Sequence, residues 1–145
     1  MQHFLWRLMD LSIEKIRSNP GTVVDWTTAE GTAKVKLRWA STQTLNEIKD
    51  RHAQPVSFRG EINREVNEVE AERDRIEYCV VDWSGINGED GQPLACNRDN
   101  KIFLYEYYPP FQLFVKSKLA ALNVGAIALR EQEEKNLKPS QDGTA

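Results

Sequence analysis

The stretch from Glu61 to Asn100 constrains this chain more than any other. Ile62, Val66, Val69, Arg73, Ile76, Val80 and Trp83 follow one another at alternating steps of four and three. That is a heptad seam, apolar at every place except Arg73. The faces between carry Glu61, Arg64, Glu65, Glu68, Glu70, Glu72, Asp74, Arg75 and Glu77. The spacing predicts one long charged helix ending in the apolar run Cys79-Val80-Val81-Asp82-Trp83, roughly 33 Å at 1.5 Å per residue. Such a helix packs inside its own domain or offers its seam to a second chain. One interrupted run falls short of the sustained heptads of a coiled coil. Trp83, on the seam where the helix meets the next loop, is expected to be mostly buried.

A turn-rich loop follows from Ser84 to Cys96, then a fresh helix start at Asn97-Arg98-Asp99-Asn100. Asn87-Gly88 and Asp90-Gly91 are dipeptides that favour turns with φ > 0, so Gly88 or Gly91 should adopt that conformation.

The rest of the chain supplies a second element type. Leu5, Leu8, Met9, Ile13 and Ile16 keep helical spacing, which predicts a short helix within Phe4 to Arg17, ended by Asn19-Pro20-Gly21. Thr22 to Trp26 is rich in β-branched and aromatic residues. In Ala33 to Trp39, Val35, Leu37 and Trp39 alternate with Lys34, Lys36 and Arg38, the pattern of a half-buried strand. With Ala29-Glu30-Gly31 as the turn, these runs predict a hairpin, and a lone hairpin needs a cover. Ser41 or Thr42 caps the next helix, with Leu45 and Ile48 inward and Pro55 as its stop. Gln54 to Gly60 reads as a connector. The expected fold class is α+β: a small N-terminal β-hairpin (about residues 22–39) packed with a mainly helical C-terminal region. A single globular domain is expected over 1–130, with a polar, flexible tail over 131–145.

Composition excludes several function classes. The net charge of −3 gives no basic excess for a nucleic-acid partner. No run approaches the ~20 apolar residues of a membrane span, and Arg7 and Asp10 break the N-terminal apolar run before a signal sequence could form. A cytosolic protein is expected. Cys79 and Cys96 read as two isolated thiols, and with His3 and His52 as the only histidines no zinc spacing exists. Ile86 interrupts the calcium-loop pattern between Asp82 and Gly91. No phosphate-binding glycine motif occurs, and Cys96 with His52 is not spaced as a nucleophile and base. No catalytic residue, metal or cofactor is expected.

What rises above background is aromatic. Tyr105, Tyr107, Tyr108, Phe111 and Phe114 crowd around Pro109-Pro110, which breaks one helix and opens the next. The cluster is either core packing or an exposed groove that receives a partner's apolar segment.

Val80, Trp83, Gly85, Ile86, Asp90, Gly91, Pro93 and Leu94 stand in an order and spacing that resembles the tail assembly chaperones of long-tailed bacteriophages. Those proteins carry a V-x-x-W-x-G-V/I segment, a D-G-x-P/L turn and a polar helix start, at which Cys96-Asn97 replaces the usual Thr or Ser. The likeness covers mainly Thr32 to Leu122, with Trp83, Gly85, Asp90, Gly91 and Pro93 as its structural motif. It implies a non-catalytic protein that holds the tape-measure protein, recruits tail-tube subunits, and leaves before the virion is mature. Its place would be the host cytoplasm. On that reading Tyr105, Tyr107, Tyr108, Phe111 and Phe114 form the partner-binding surface. The family's upstream chaperone is often extended by a −1 ribosomal frameshift near its last codons. Glu134-Lys135-Asn136 can be encoded GAA-AAA-AAC, which contains the slippery run A-AAA-AAC. A structural protein of the tail or neck, or a small adaptor, is the alternative.

Overall fold

The structure, a computed structural model, describes residues 8–137, with side chains described to Asn123. The architecture is α+β, as expected. Thr22–Thr28 (β1) and Gly31–Leu37 (β2) form the N-terminal hairpin, Val24 opposite Val35 and Trp26 opposite Ala33. Alternation sets its two faces. Ala33, Val35 and Leu37 are buried, while Lys34 pairs with Asp25 at 2.8 Å on the outer face. Trp39 does not continue this alternation, because β2 stops at Leu37 and leaves the indole 43% exposed.

The long helix expected from Glu61 to Trp83 is instead three elements: Glu61–Val66 (β4), Glu68–Cys79 (α3) and Val80–Ser84 (β5). Local chemistry overrules the heptad spacing at both ends. Arg59 and Gly60 take φ of 54° and 81°, which closes a two-residue hairpin turn. The supposed connector is therefore a strand, Ala53–Phe58 (β3), paired with β4. Asn67 then caps α3, its side chain accepting from Glu70 N at 3.2 Å, so the helix begins only there. The β-branched pair Val80-Val81 ends it and enters the sheet beside β2.

The seam misleads for a definable reason. A step of four keeps Ile62 and Val66 on one face of a strand as well as of a helix. A step of three normally does not, but β5 carries a bulge at Val81, so Val80 and Trp83 lie opposite Leu37 and Val35 and both point inward. The resulting sheet has the order β1-β2-β5, and β3-β4 forms a separate two-stranded ribbon.

Thr42–Arg51 (α2) starts on Ser41, whose hydroxyl accepts from Thr44 N at 3.1 Å. It ends before Pro55, which lies inside β3 opposite Arg64, a position a ribbon edge tolerates. The first helix is shorter and later than expected. Ile13–Ser18 (α1) begins on Ser12, which accepts from Lys15 N, and Leu8 to Leu11 are not helical. The part of that expectation on residues 1–7 lies outside the described residues.

Arg98–Tyr107 (α4) and Pro109–Leu137 (α5) meet at Tyr108. Of the expected tail over 131–145, residues 131–137 belong to α5 and 138–145 lie outside the described residues. The core joins both helices and α3 to the sheet through Val35, Leu37, Ile76, Val80, Tyr105, Phe111 and Val115, each 0–4% exposed.

Candidate partner-binding groove

The loop after β5 is built as a small hairpin of its own. Asn87 and Pro93 form a β-bridge, Leu94 N donates to Ile86 O at 2.8 Å, and Gly88 N donates to Gln92 O at 2.9 Å. At its tip Gly91 N donates to Gly88 O, and the Asp90 carboxylate accepts from Gln92 N at 3.0 Å. Gly91 takes φ +75° as the Asp-Gly dipeptide foretells, whereas Gly88 does not have positive φ. The loop is pinned to the sheet from above and below. Trp83, 8% exposed, donates its indole N–H to Leu94 O at 2.8 Å. Gly85, at φ +87°, lies so close to β2 that a Cβ would sit 3.2 Å from Ala33 Cα and Thr32 O. At its far end Asn97 caps α4, accepting from Asn100 N at 2.9 Å.

This loop forms one wall of an open groove of about 660 Å³. Ile86 and Leu94 of the loop, Glu30 of the β1–β2 turn, Phe103 and Tyr107 of α4, and Trp26 and Tyr108 all line it, with Thr28, Thr32 and Asn87 as polar members. The Phe103 and Tyr107 rings stack at 5.2 Å and remain 57% and 72% exposed. They lie one helical turn apart on the solvent side of α4. Among the described lining residues Glu30 is the one charged group. The groove is rich in apolar and aromatic residues and carries one acidic side chain.

The five aromatics expected to bind a partner divide. Tyr105 and Phe111 are core, at 4% and 0% exposure. Phe111 packs edge-on against both Trp26 and Trp83, at 5.4 and 5.9 Å, so it cannot face a partner. Tyr108 and Phe114 are half-buried against Trp26. Tyr107 alone of the five is well exposed. Helical geometry explains the division, since consecutive residues around Pro109-Pro110 point in different directions and only one stripe can face outward. Phe103, Trp26, Leu94 and Ile86 complete the groove, and the Phe103–Tyr107 spacing of four was the available sequence signal.

Comparisons with protein-family models, with curated proteins and with solved structures give no match.

The acidic residues of α3 are largely engaged. Arg73 donates to both Glu106 oxygens at 2.9 and 3.1 Å and also reaches Glu70, which joins α3 to α4 and accounts for the polar residue in the apolar seam. Arg75 pairs with Glu72. Asp74 is the hub of a larger network, accepting from Arg51 at 2.9 Å, His52 at 2.8 Å and Arg98 at 2.8 Å, while Arg98 also holds Glu77. Burial by itself pushes the Asp74 carboxyl upward, but the hydrogen bonds from His52 and Arg98 outweigh it and hold the group below the usual carboxylate range. Cys79 and Cys96 are both free thiols, and burial raises both above the ordinary thiol value. Among the described residues no group of three or more His, Cys, Asp or Glu is placed to hold a metal, and no helix is long and apolar enough to cross a membrane.

Proposed function

We propose that the chain is a non-catalytic tail assembly chaperone of a long-tailed bacteriophage. It holds apolar segments of the tape-measure protein and helps recruit tail-tube subunits during tail morphogenesis. One observation carries this reading: the residues that bear the resemblance make a single unit, and that unit is a wall of the exposed aromatic groove. Trp83, Gly85, Asp90, Gly91 and Pro93 each answer a demand of the loop's geometry. Asn97 stands where the family has Thr or Ser, and all three are preferred helix N-caps, so the substitution keeps the role.

The groove suits a holding function. Stacked exposed rings give large contact area at low entropic cost. The bend at Tyr108-Pro109-Pro110 fixes them before binding, so little ordering is needed. Glu30 attracts Lys or Arg flanking a partner's apolar stripe, in a salt-sensitive way.

The test is co-expression with the tape-measure protein of the same genome. Phe103→Ser with Tyr107→Ser should abolish co-purification while the circular dichroism melt stays near wild type, because both side chains are exposed. Retained co-purification would remove the groove from the reading. A band of this mass in purified mature virions counts instead for a structural tail or neck protein. The gene's neighbours, a tail-tube gene before and a very long tape-measure gene after, are a further check. So is the slippery run at the codons for Glu134-Lys135-Asn136.

A further inference from the structure

The β3–β4 ribbon is the least supported part of the fold. Its six-residue strands are paired only with each other, Phe58 opposite Glu61 and Ala53 opposite Val66. No residue from 53 to 66 belongs to the buried core. At about 3.3 Å per residue it extends roughly 20 Å. A two-stranded ribbon without a cover is marginal in water. Its base alone is fastened, by Asn67 N donating to His52 O at 2.9 Å and by the Arg64–Asp50 ion pair.

The far end of this arm is apolar where exposure should favour polar residues. Phe58 is 64% and Ile62 75% exposed. Cross-strand register puts them on opposite faces: Phe58 shares a face with Glu61, and Ile62 shares the other with Ser57. Laid on a flat surface, the ribbon buries one of the two. Inserted end-on between two walls, it buries both. Arg59, at the turn between them, folds over the Phe58 ring at 5.2 Å and brings a cation to the same end.

The same chain carries a groove of matching character. It is lined by residues of the Ile86–Leu94 loop and of α4, is rich in apolar and aromatic side chains, is about 660 Å³ in volume, and has Glu30 as the charge among its described lining residues. That volume is within the range of about 300–1,000 Å³ that binding pockets show. We propose that the arm of one copy inserts into this groove of a second copy, with Phe58 and Ile62 against its apolar lining and Arg59 beside Glu30. The contact joins two different surfaces, so each copy keeps one free arm and one free groove. Assembly therefore proceeds head to tail, into a ring or an open chain. The contact needs only the arm and the groove, and it stands apart from any tape-measure partner. Such a partner would compete for the groove.

Glu61 beside Phe58 finds no cation in the groove lining. Its neutralisation should strengthen the contact rather than weaken it.

Sedimentation velocity of the purified chain alone, over a concentration series, tests this. Wild type should grow in mass with concentration. Phe58→Ser with Ile62→Ser should stay monomeric, and so should Phe103→Ser with Tyr107→Ser, each with a far-UV spectrum and melt like wild type. An equimolar mixture of the two variants should form a 1:1 heterodimer and stop there, because one supplies an intact groove and the other an intact arm. Arg59→Asp should weaken association by about tenfold, the scale of a close interfacial charge pair. Adding Glu30→Lys should restore it, and Glu61→Gln should tighten it. A wild-type chain monomeric throughout overturns the proposal. So does association by the groove variant alone, which would mean arm-to-arm pairing. Loss of tape-measure co-purification leaves all of these readings untouched.

Discussion

Trp83 shows how one residue serves the core and the loop together. Its ring packs on Phe111 at 5.9 Å while its N–H holds Leu94 O. Trp83→Ala should cost about 3–5 kcal/mol, as large aromatic deletions in cores do, and equilibrium urea unfolding would read it. The two positive-φ glycines of the loop should differ from each other. Gly91→Ala meets nothing within 4 Å and bears only the left-handed penalty of about 1–2 kcal/mol. Gly85→Ala bears that penalty and also drives a Cβ against the β2 backbone. Its loss of stability should be the larger, and equal losses would mean that β2 yields. Asp74 gives a pH dependence of defined sign. Its pKa is depressed in the folded state, so its contribution is complete above the unfolded value of about 3.9 and fades as pH falls through the lower folded value. The stability difference between wild type and Asp74→Asn should therefore shrink below about pH 4. A difference that grows below about pH 4 would contradict the network of His52 and Arg98.

Among the elements, α3 and the β3–β4 ribbon stand at opposite ends of a scale. Helix α3 is capped by Asn67, tied to α4 through Arg73–Glu106, and buried along Ala71, Ile76 and Cys79. The ribbon contributes no core residue. Replacing Gln54–Glu65 by a short glycine-rich turn, with His52 and Asn67 retained, should leave stability within about 1 kcal/mol of wild type. A thermal melt measures this. A large loss would show that the ribbon shields the core from a direction its own register does not reveal. The hairpin β1–β2 was legible because its alternation is clean and its turn is short. The ribbon was hidden because Pro55 and the mixed polarity of both strands read as a connector. The Arg59-Gly60 turn was the available signal, and its importance depends on φ values that a sequence does not display.

At the scale of the whole molecule, a small core organises two exposed features, an arm and a groove, toward solvent. The core draws on β2, α3, β5, α4 and α5 together, so disruption at Phe111 or Tyr105 should unfold all of them. Phe111→Ser should abolish the cooperative melt, whereas Tyr107→Ser should leave it near wild type. That contrast separates the buried from the exposed half of the aromatic cluster in one experiment. The same core holds the loop and α4 at the separation that makes the groove, so groove geometry depends on Trp83, which does not line it, as well as on Gly85, which does.

The first hairpin, the Ser41 cap, the Gly91 turn and the helix break at Pro109-Pro110 were set by local preference. Each depends on residues within a few positions of one another, where spacing, caps and φ restrictions act directly. The fate of the Glu61–Trp83 seam was only partly local: the Arg59-Gly60 turn and the Asn67 cap set its first half, whereas its end was decided by a distant strand. Steps of four and three suited a helix, yet β2 presented an open edge that Val80 to Ser84 could pair with, and a bulge at Val81 reconciled the spacing with a strand. The sorting of the five aromatics was likewise decided by packing. Which side of α4 and α5 meets Trp26 and the sheet depends on where β1 and β5 lie, and strand order is a long-range choice that no short stretch of residues encodes.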